Sequence, residues 1–446
     1  MKRNLKLTWL LATVLLLALA ACGGGQTTAP EPTLAPEGQP AATLPAEGVA
    51  TLPPPVVEGE VLPTPTLAAP TEGGEAVPAE QPAAEAEVSG PWPADQFGYG
   101  IQIHGNATVG DPAATMQAVR DQLGLSWVKM QVQWWLVEPD PTGDQWFFYD
   151  AVIEQAHLHG VRLMVSVVGA PAWTRAAGGE DGPPDDYNEY ARFLGELIDR
   201  HPGRIDAIEV WNEQNLDREW KSSNGISPED YVRFLQVAHD AIKAKDPNII
   251  VISGALSPTG TGDWVKWADD FEYLDRALAA GMLNYADCVG AHHNGYNIAP
   301  DVTFDAAGST AEASTASFRG PFDNPHHSWS LKTTLDTYAQ KVQAVDPNKK
   351  LCVTEFGWAS SEGYAEIPTG FEFARDNTLQ EQADYIVQAF TQMHDSGNIW
   401  LAFLFNFDFG NKGSGPTDDP VPYSIVDTAG IPRPAYGALS GMPKNP

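Results

Sequence analysis

Eight short apolar or β-branched runs, starting near Tyr99, Trp127, Arg162, Ile205, Ile249, Asp287, Lys350 and Ile399, alternate strictly with stretches of helical periodicity. The helical stretches run from Pro112 to Leu123, Tyr149 to His159, Tyr187 to Arg200, Ser227 to Lys245, Trp264 to Ala280, Leu331 to Val345 and Thr378 to Ser396. Strand and helix in strict alternation require parallel strands joined by crossovers. Eight such units in one domain favour an α/β fold of the closed (β/α)8 TIM-barrel type over an open doubly wound sheet. Ser227-Pro228-Glu229-Asp230 supplies an N-cap, a first-turn proline and two acids at the positive end of a helix dipole. Asp246-Pro247-Asn248 and Asp346-Pro347-Asn348 stop two helices in the same way and fix where the fifth and seventh strands begin.

Alternation within the strands gives their orientation. In the second run Val128, Met130 and Val132 form one face, while Lys129, Gln131, Gln133 and Trp135 form the other. The outer face of a barrel packs against helices and must be apolar, so the polar set points inward and up. The first run repeats the pattern, with Ile101 and Ile103 outward and Gln102 and His104 inward.

Only the region from about residue 95 to 446 has this character. Lys2, Arg3 and Lys6, the apolar stretch Leu10 to Leu19 and the sequence Leu19-Ala20-Ala21-Cys22 read as a secretory signal over residues 1–21. The tetrapeptide resembles a bacterial lipobox, which implies cleavage before Cys22 and a lipid anchor in a membrane; in an ordinary signal peptide Cys22 would be incidental. Residues 22–94 are mostly Pro, Ala, Glu, Thr and Gly and should form a disordered linker, because they cannot bury enough apolar surface to offset chain entropy. A proline-rich tether of roughly 70 residues, at about 3.1 Å each, could hold a domain well away from a membrane. The formal net charge of −32 argues against nucleic acid as a partner. Cys288 and Cys352 lie inside expected strands without metal-ligand spacing, and are read as buried thiols rather than a disulfide.

The chemistry-bearing residues close two of the apolar runs. Glu213 ends Ile208-Glu209-Val210-Trp211-Asn212-Glu213, and Glu355 lies in Leu351-Cys352-Val353-Thr354-Glu355-Phe356-Gly357. Each carboxylate would then sit at the C-terminal end of a strand, where α/β barrels keep their active sites. Two facing carboxylates are what hydrolysis of a glycosidic bond requires. Trp134, Trp135, Trp173, Trp220, Trp358 and Tyr296 lie near strand ends and are candidates for stacking on sugar rings, Trp173 and Trp358 foremost.

Trp211-Asn212-Glu213, Thr354-Glu355-Phe356-Gly357 and Pro171-Ala172-Trp173 together resemble the glycoside hydrolase clan A barrels, most closely family 39-like members, over about residues 97–439. That resemblance implies a retaining enzyme that needs neither metal nor cofactor and acts on a β-linked carbohydrate. In it Glu213 is the general acid/base, Glu355 the nucleophile, Asn212 a partner of the sugar 2-hydroxyl, and His292 a support of nucleophile or substrate. The acid role implies a raised carboxyl pKa, to which desolvation by Trp211 could contribute. Three positions depart from the clan pattern: Lys129 in place of arginine, Gln214 in place of proline, and Phe405 where a strand-eight platform is often tryptophan. These departures keep open a non-catalytic carbohydrate-binding lipoprotein on the same barrel. The segment from Tyr296 to Ser330 is expected over the catalytic face, either as a roof or as a mobile excursion.

Overall fold

The structure, a computed structural model, describes residues 90–445; the signal segment, Cys22 and most of the expected linker lie outside the described residues. Eight parallel strands form the sheet: β1 (Gly98–Gln102), β2 (Trp127–Gln133), β3 (Arg162–Val168), β4 (Ala207–Val210), β5 (Ile250–Ser253), β6 (Val289–Gly295), β7 (Leu351–Trp358) and β8 (Ile399–Leu404). Each of β1 to β4 pairs with its successor, as do β6 and β7, and β8 returns to β1. Single bridges from Ile252 to Cys288 and from Leu256 to Ala291 close β5 on β6. At that seam Gly290 has no room for a side chain, because a Cβ would collide with the Ser253 carbonyl oxygen. The chain is a (β/α)8 barrel.

The crossovers are α1 (Pro112–Gln117, continued by a π turn to Gln122), α2 (Asp150–Leu158), α3 (Tyr187–Arg200), α4 (Pro228–Lys245), α5 (Asp270–Ala279), α6 (Leu331–Val345) and α7 (Leu379–Ser396), with α8 (Pro434–Gly441) behind β8. The capping chemistry forms as the sequence requires. Ser227 accepts from the Asp230 amide, and the Asp246 and Asp346 carboxylates accept from the amides of Asn248 and Asn348. One helix starts late: α5 begins at Asp270, not near Trp264, because Asp269 is its N-cap and Asp263 gathers the amides of Val265 and Lys266 into a separate turn.

The face assignment of β1 and β2 holds. Ile101, Ile103, Val128, Met130 and Val132 are all buried in the shell between sheet and helices. A second, smaller cluster of Trp127, Met164, Ala207, Ile252, Leu401 and Phe403 fills the bottom of the lumen. Trp92, late in the linker-like sequence, packs edge-on to Trp127 at 5.8 Å and beneath the Arg162 guanidinium.

Cys288 and Cys352 belong to this floor, and they are joined as a disulfide with a Cα–Cα separation of 5.9 Å. The expectation of two free thiols is therefore corrected. Strand periodicity says that each cysteine is buried but not which residue of the next strand lies beside it. The register Val289↔Leu351 and Gly290↔Cys352 brings the two together. Because the bond spans 64 residues, Cys352→Ser should lower the unfolding free energy by about 2–4 kcal/mol. Urea denaturation of oxidised protein beside the variant measures this; equal midpoints would show that the bond carries no stability.

Candidate active site

Two backbone features bring the carboxylates to the mouth of the barrel. Trp211 and Glu213, directly after β4, both adopt left-handed φ angles, 78° and 43°. This turn sends Trp211 outward against Tyr190, Trp220 and Phe234, and ties the Glu213 amide to the Ala255 carbonyl, 2.9 Å away, beyond β5. The second feature is a bulge in β7: its register shifts against both β6 and β8 at Thr354–Glu355. The extra residue lets two successive side chains face the lumen. Thr354 donates to Glu209, and Glu355 accepts from Lys129.

Lys129 is the floor of the site. Fully buried, its Nζ lies 2.9 Å from Glu355 Oε1 and 3.2 Å from Glu209 Oε2. Glu209, also fully buried, accepts further bonds from Ser166 Oγ (2.7 Å) and Thr354 Oγ1 (2.6 Å). Burial opposes ionisation of both groups, but mutual attraction outweighs it: Lys129 is held above its ordinary pKa and Glu209 below. One ammonium thus supports both carboxylates.

His292 forms the back wall. Its Nδ1 lies 3.2 Å from Glu213 Oε1 and 3.9 Å from Glu355 Oε2. Burial disfavours the imidazolium, yet the carboxylates of Glu355 and Glu213 raise the pKa of the ring. Asn294 Nδ2, 3.4 Å from Glu355 Oε2, completes the nucleophile side. His293 faces the other way, toward the Ser328 carbonyl, and burial lowers its pKa to about 4.

Glu213 does not have the raised pKa that a resting general acid implies. Burial pushes its carboxyl up, but the His292 hydrogen bond and the Arg218 guanidinium, 3.1 Å from Oε2, bring it down to about 2. Trp211 cannot counteract this, because its ring is in the outer shell with Nε1 donating to the Glu219 carbonyl. Beside this pair lies Glu219, whose carboxyl is pushed up to about 8 by burial and by the charge of Glu213. Asn212, 7% exposed, keeps an unpartnered Oδ1 at the same place.

The aromatic expectations fare unevenly. Tyr296 reaches the site, and burial together with the Glu213 charge pushes its phenol up to about 12. Trp135 is half-buried over Gly169 at the end of β3. Trp173 is also half-buried, its Nε1 bound to the Glu138 carbonyl and its ring edge-on to Trp134. Trp358 is corrected: it is 1% exposed, packs on Tyr385 of α7 and donates to the Ile298 carbonyl, so it has no face for a sugar. Trp134 and Trp220 are likewise fully buried. The β7 bulge is the reason for Trp358: with Thr354 and Glu355 both facing the lumen, regular alternation from Glu355 turns Trp358 to the helix side. His104 sits at the β1 rim, its amide bound to Asp408 and its ring against Phe409. Phe405 is half-buried beside Tyr423 and Phe409. Gln214 donates to the Gly254 carbonyl, a tie to β5 that proline could not make.

The segment after β6 is a packed wall. Tyr296, Phe318, Trp329 and Phe373 pack edge to face, and Asp376 accepts from the Ser317 and Phe318 amides. At its far end His327 binds buried Asp270, which also accepts from Tyr338. Arg218, Glu219 and Asn294 were missed in the sequence because none belongs to a spacing pattern; their proximity to Glu213 in the same loop was the only signal for the first two. Among the described residues there is no cluster of three or more metal-ligating side chains.

No family model matches the sequence. It is 31% identical over 90 residues to a β-xylosidase of Geobacillus stearothermophilus, a match spanning 19% of this chain and 17% of that protein. The fold superposes on a family 39 glycoside hydrolase from the gut symbiont Bacteroides cellulosilyticus WH2 with a TM-score of 0.55 at 19% identity, covering 78% of this chain and 64% of that one. A monomeric β-xylosidase from Caulobacter crescentus CB15 gives 0.52 at 16%, over 79% and 68% of the two chains. At these identities the structural likeness is one of fold.

Removing Lys129 leaves two buried carboxylates without their cation. Lys129→Met is expected to destabilise the barrel by about 3–5 kcal/mol at neutral pH. Without its counterion Glu209 favours the neutral form, so the deficit should shrink as pH falls through the ordinary carboxylate range. Unfolding curves at pH 4.5 and 7.5 test both points, and a pH-independent deficit would refute the charge-based account.

Proposed function

We propose that this chain is a retaining glycoside hydrolase acting on a β-linked polysaccharide or oligosaccharide, with Glu355 as nucleophile and Glu213 as acid/base. One observation carries the reading: glutamates from β4 and β7 both approach a single imidazole nitrogen at the C-terminal mouth of a (β/α)8 barrel. They face one volume, as double displacement needs. Glu355, anchored by Lys129 and Asn294, attacks the anomeric carbon while Glu213 protonates the leaving oxygen. Once Glu355 is esterified its charge is gone, and Glu213, as an anion, takes the proton of the incoming water. Asn212, with its free carbonyl oxygen, is placed for a sugar hydroxyl. The similarity to β-xylosidases makes β-xylosides the first substrates to try.

The proposal extends to location. The signal-like N-terminus with Cys22 and the proline-rich stretch fit a lipid-anchored protein working outside the cytoplasm, and the Cys288–Cys352 bond fits an oxidising compartment.

A second reading, a carbohydrate-binding barrel without turnover, draws on the low pKa of Glu213, which leaves the free protein without a proton at the acid position. Wild type and Glu355→Gln, assayed on aryl β-glycosides and a polysaccharide panel, separate the two. The enzyme reading expects wild-type turnover, at least a ~1000-fold loss in the variant, and mass-spectrometric labelling of Glu355 by an activated 2-fluoroglycoside. Binding without turnover, or a label on another residue, would overturn it.

A further inference from the structure

The loop after β4 places a guanidinium between two carboxyls. Arg218 Nη2 lies 3.1 Å from Glu213 Oε2, and Arg218 Nε lies 3.7 Å from Glu219 Oε1. The second contact is too long for a hydrogen bond, and Nε is a buried donor with no partner. A shift of a few tenths of an ångström toward Glu219 would satisfy it. The other partner of Glu213, His292 on Oε1, is 1% exposed and built into β6, whereas Arg218 is 30% exposed on a long side chain. Of the two Glu213 partners, Arg218 is therefore the one with room to move aside.

We infer that Arg218 and Glu219 form a proton switch for Glu213: the two carboxyls share one proton, and the carboxyl that Arg218 grips is the one that goes without it. In the free protein Arg218 grips Glu213, which is anionic, and the proton sits on Glu219. When substrate takes the Arg218 position at Glu213 Oε2, the guanidinium closes on Glu219. Glu219 gives up its proton, Glu213 gains one, and total charge and proton count stay the same. The inference rests on the glycosidase reading and supplies the step it lacks, a route by which a carboxylate held ionised becomes a general acid.

The surroundings favour this exchange. Toward Glu213 face His292 from β6 and Ser257 after β5, which keep it anionic while Arg218 is present. Glu219 faces Glu213 and Glu355, whose charges oppose its ionisation, and Asn212, whose side chain stabilises the ionised form. Asp419, from the loop after β8, lies close enough to Arg218 to feel its charge, and its own carboxyl is pushed up to about 6 by burial and by Asp418. The separation between about 2 for Glu213 and about 8 for Glu219 fits a pair that keeps one proton across the neutral range. Glu219 and Arg218 act through Glu213 and are positioning residues.

Because kcat/KM reports the free protein, its alkaline limb should fall near pH 8, where the pair loses its proton. In Glu219→Gln that limb should move down by roughly two pH units or more, with an approximately hundredfold loss near neutrality on phenyl β-xyloside, whose leaving group needs an acid. On 2,4-dinitrophenyl β-xyloside, which needs none, the loss should stay within about threefold. An unmoved limb, or equal losses on both substrates, would overturn the switch. A 13C titration of protein labelled at the glutamate carboxyls, assigned with Glu213→Gln and Glu219→Gln, needs no turnover. It should show Glu219 titrating near pH 8, and Glu213 rising once Arg218→Gln removes the grip. If Glu219 titrates below pH 6, or Glu213 is unmoved in Arg218→Gln, the switch is wrong even if the protein is a glycosidase. If no glycoside or polysaccharide of the panel is cleaved but both titrations come out as expected, the resting proton arrangement stands, while the glycosidase reading and the exchange that rests on it fail.

Discussion

The site hangs on a lysine ammonium sealed inside a barrel. Lys129 is surrounded by strands whose outer faces are mostly apolar, so its charge can be kept only by partners in the lumen. Glu209 and Glu355 are those partners, and each has further donors to satisfy its remaining lone pairs. This arrangement fixes the orientation of Glu355 before any ligand arrives, which is what preorganisation at a reacting centre means. It also ties β2, β4 and β7 together across the lumen, so the geometry of the mouth depends on the closure of the whole barrel.

Around this rigid centre the loops differ in stiffness. The wall after β6 is bound through edge-on aromatics, Asp376 and the Asp270–His327 contact. The loop after β4 carries instead a half-exposed arginine with an unpartnered nitrogen and a choice of two carboxyls. Motion at Arg218 can therefore change the protonation of Glu213 without disturbing Glu355, whose partners are all on strands.

Much of the fold was legible. Period-two alternation placed the faces of β1 and β2, and the Asp-Pro-Asn stops placed two helix ends, because these signals depend on neighbours in the chain. Of the residues that meet at the barrel mouth, Glu213, Glu355, Lys129, His292, Asn212 and Tyr296 were already candidates in the sequence. Trp358 misled because the β7 bulge at Thr354–Glu355 sets the phase of the rest of the strand and turns Trp358 to the helix side, and a bulge follows from how three strands pair. The cysteines misled for the same reason, since a disulfide depends on register.

The sequence by itself determined eight strands and the faces of the first two, and it put two carboxylates at strand ends, since short-range periodicity and turn chemistry are enough for that. Only the tertiary structure decided what those carboxylates are. Protonation depends on charges a few ångströms away in space: Arg218 and His292 set Glu213, burial beside Glu213 sets Glu219, and Lys129 sets Glu209. Apart from Arg218 and its two carboxyls, these groups come from different strands and loops. Coulombic interaction follows distance through the folded protein, and the order of residues along the chain does not fix that distance.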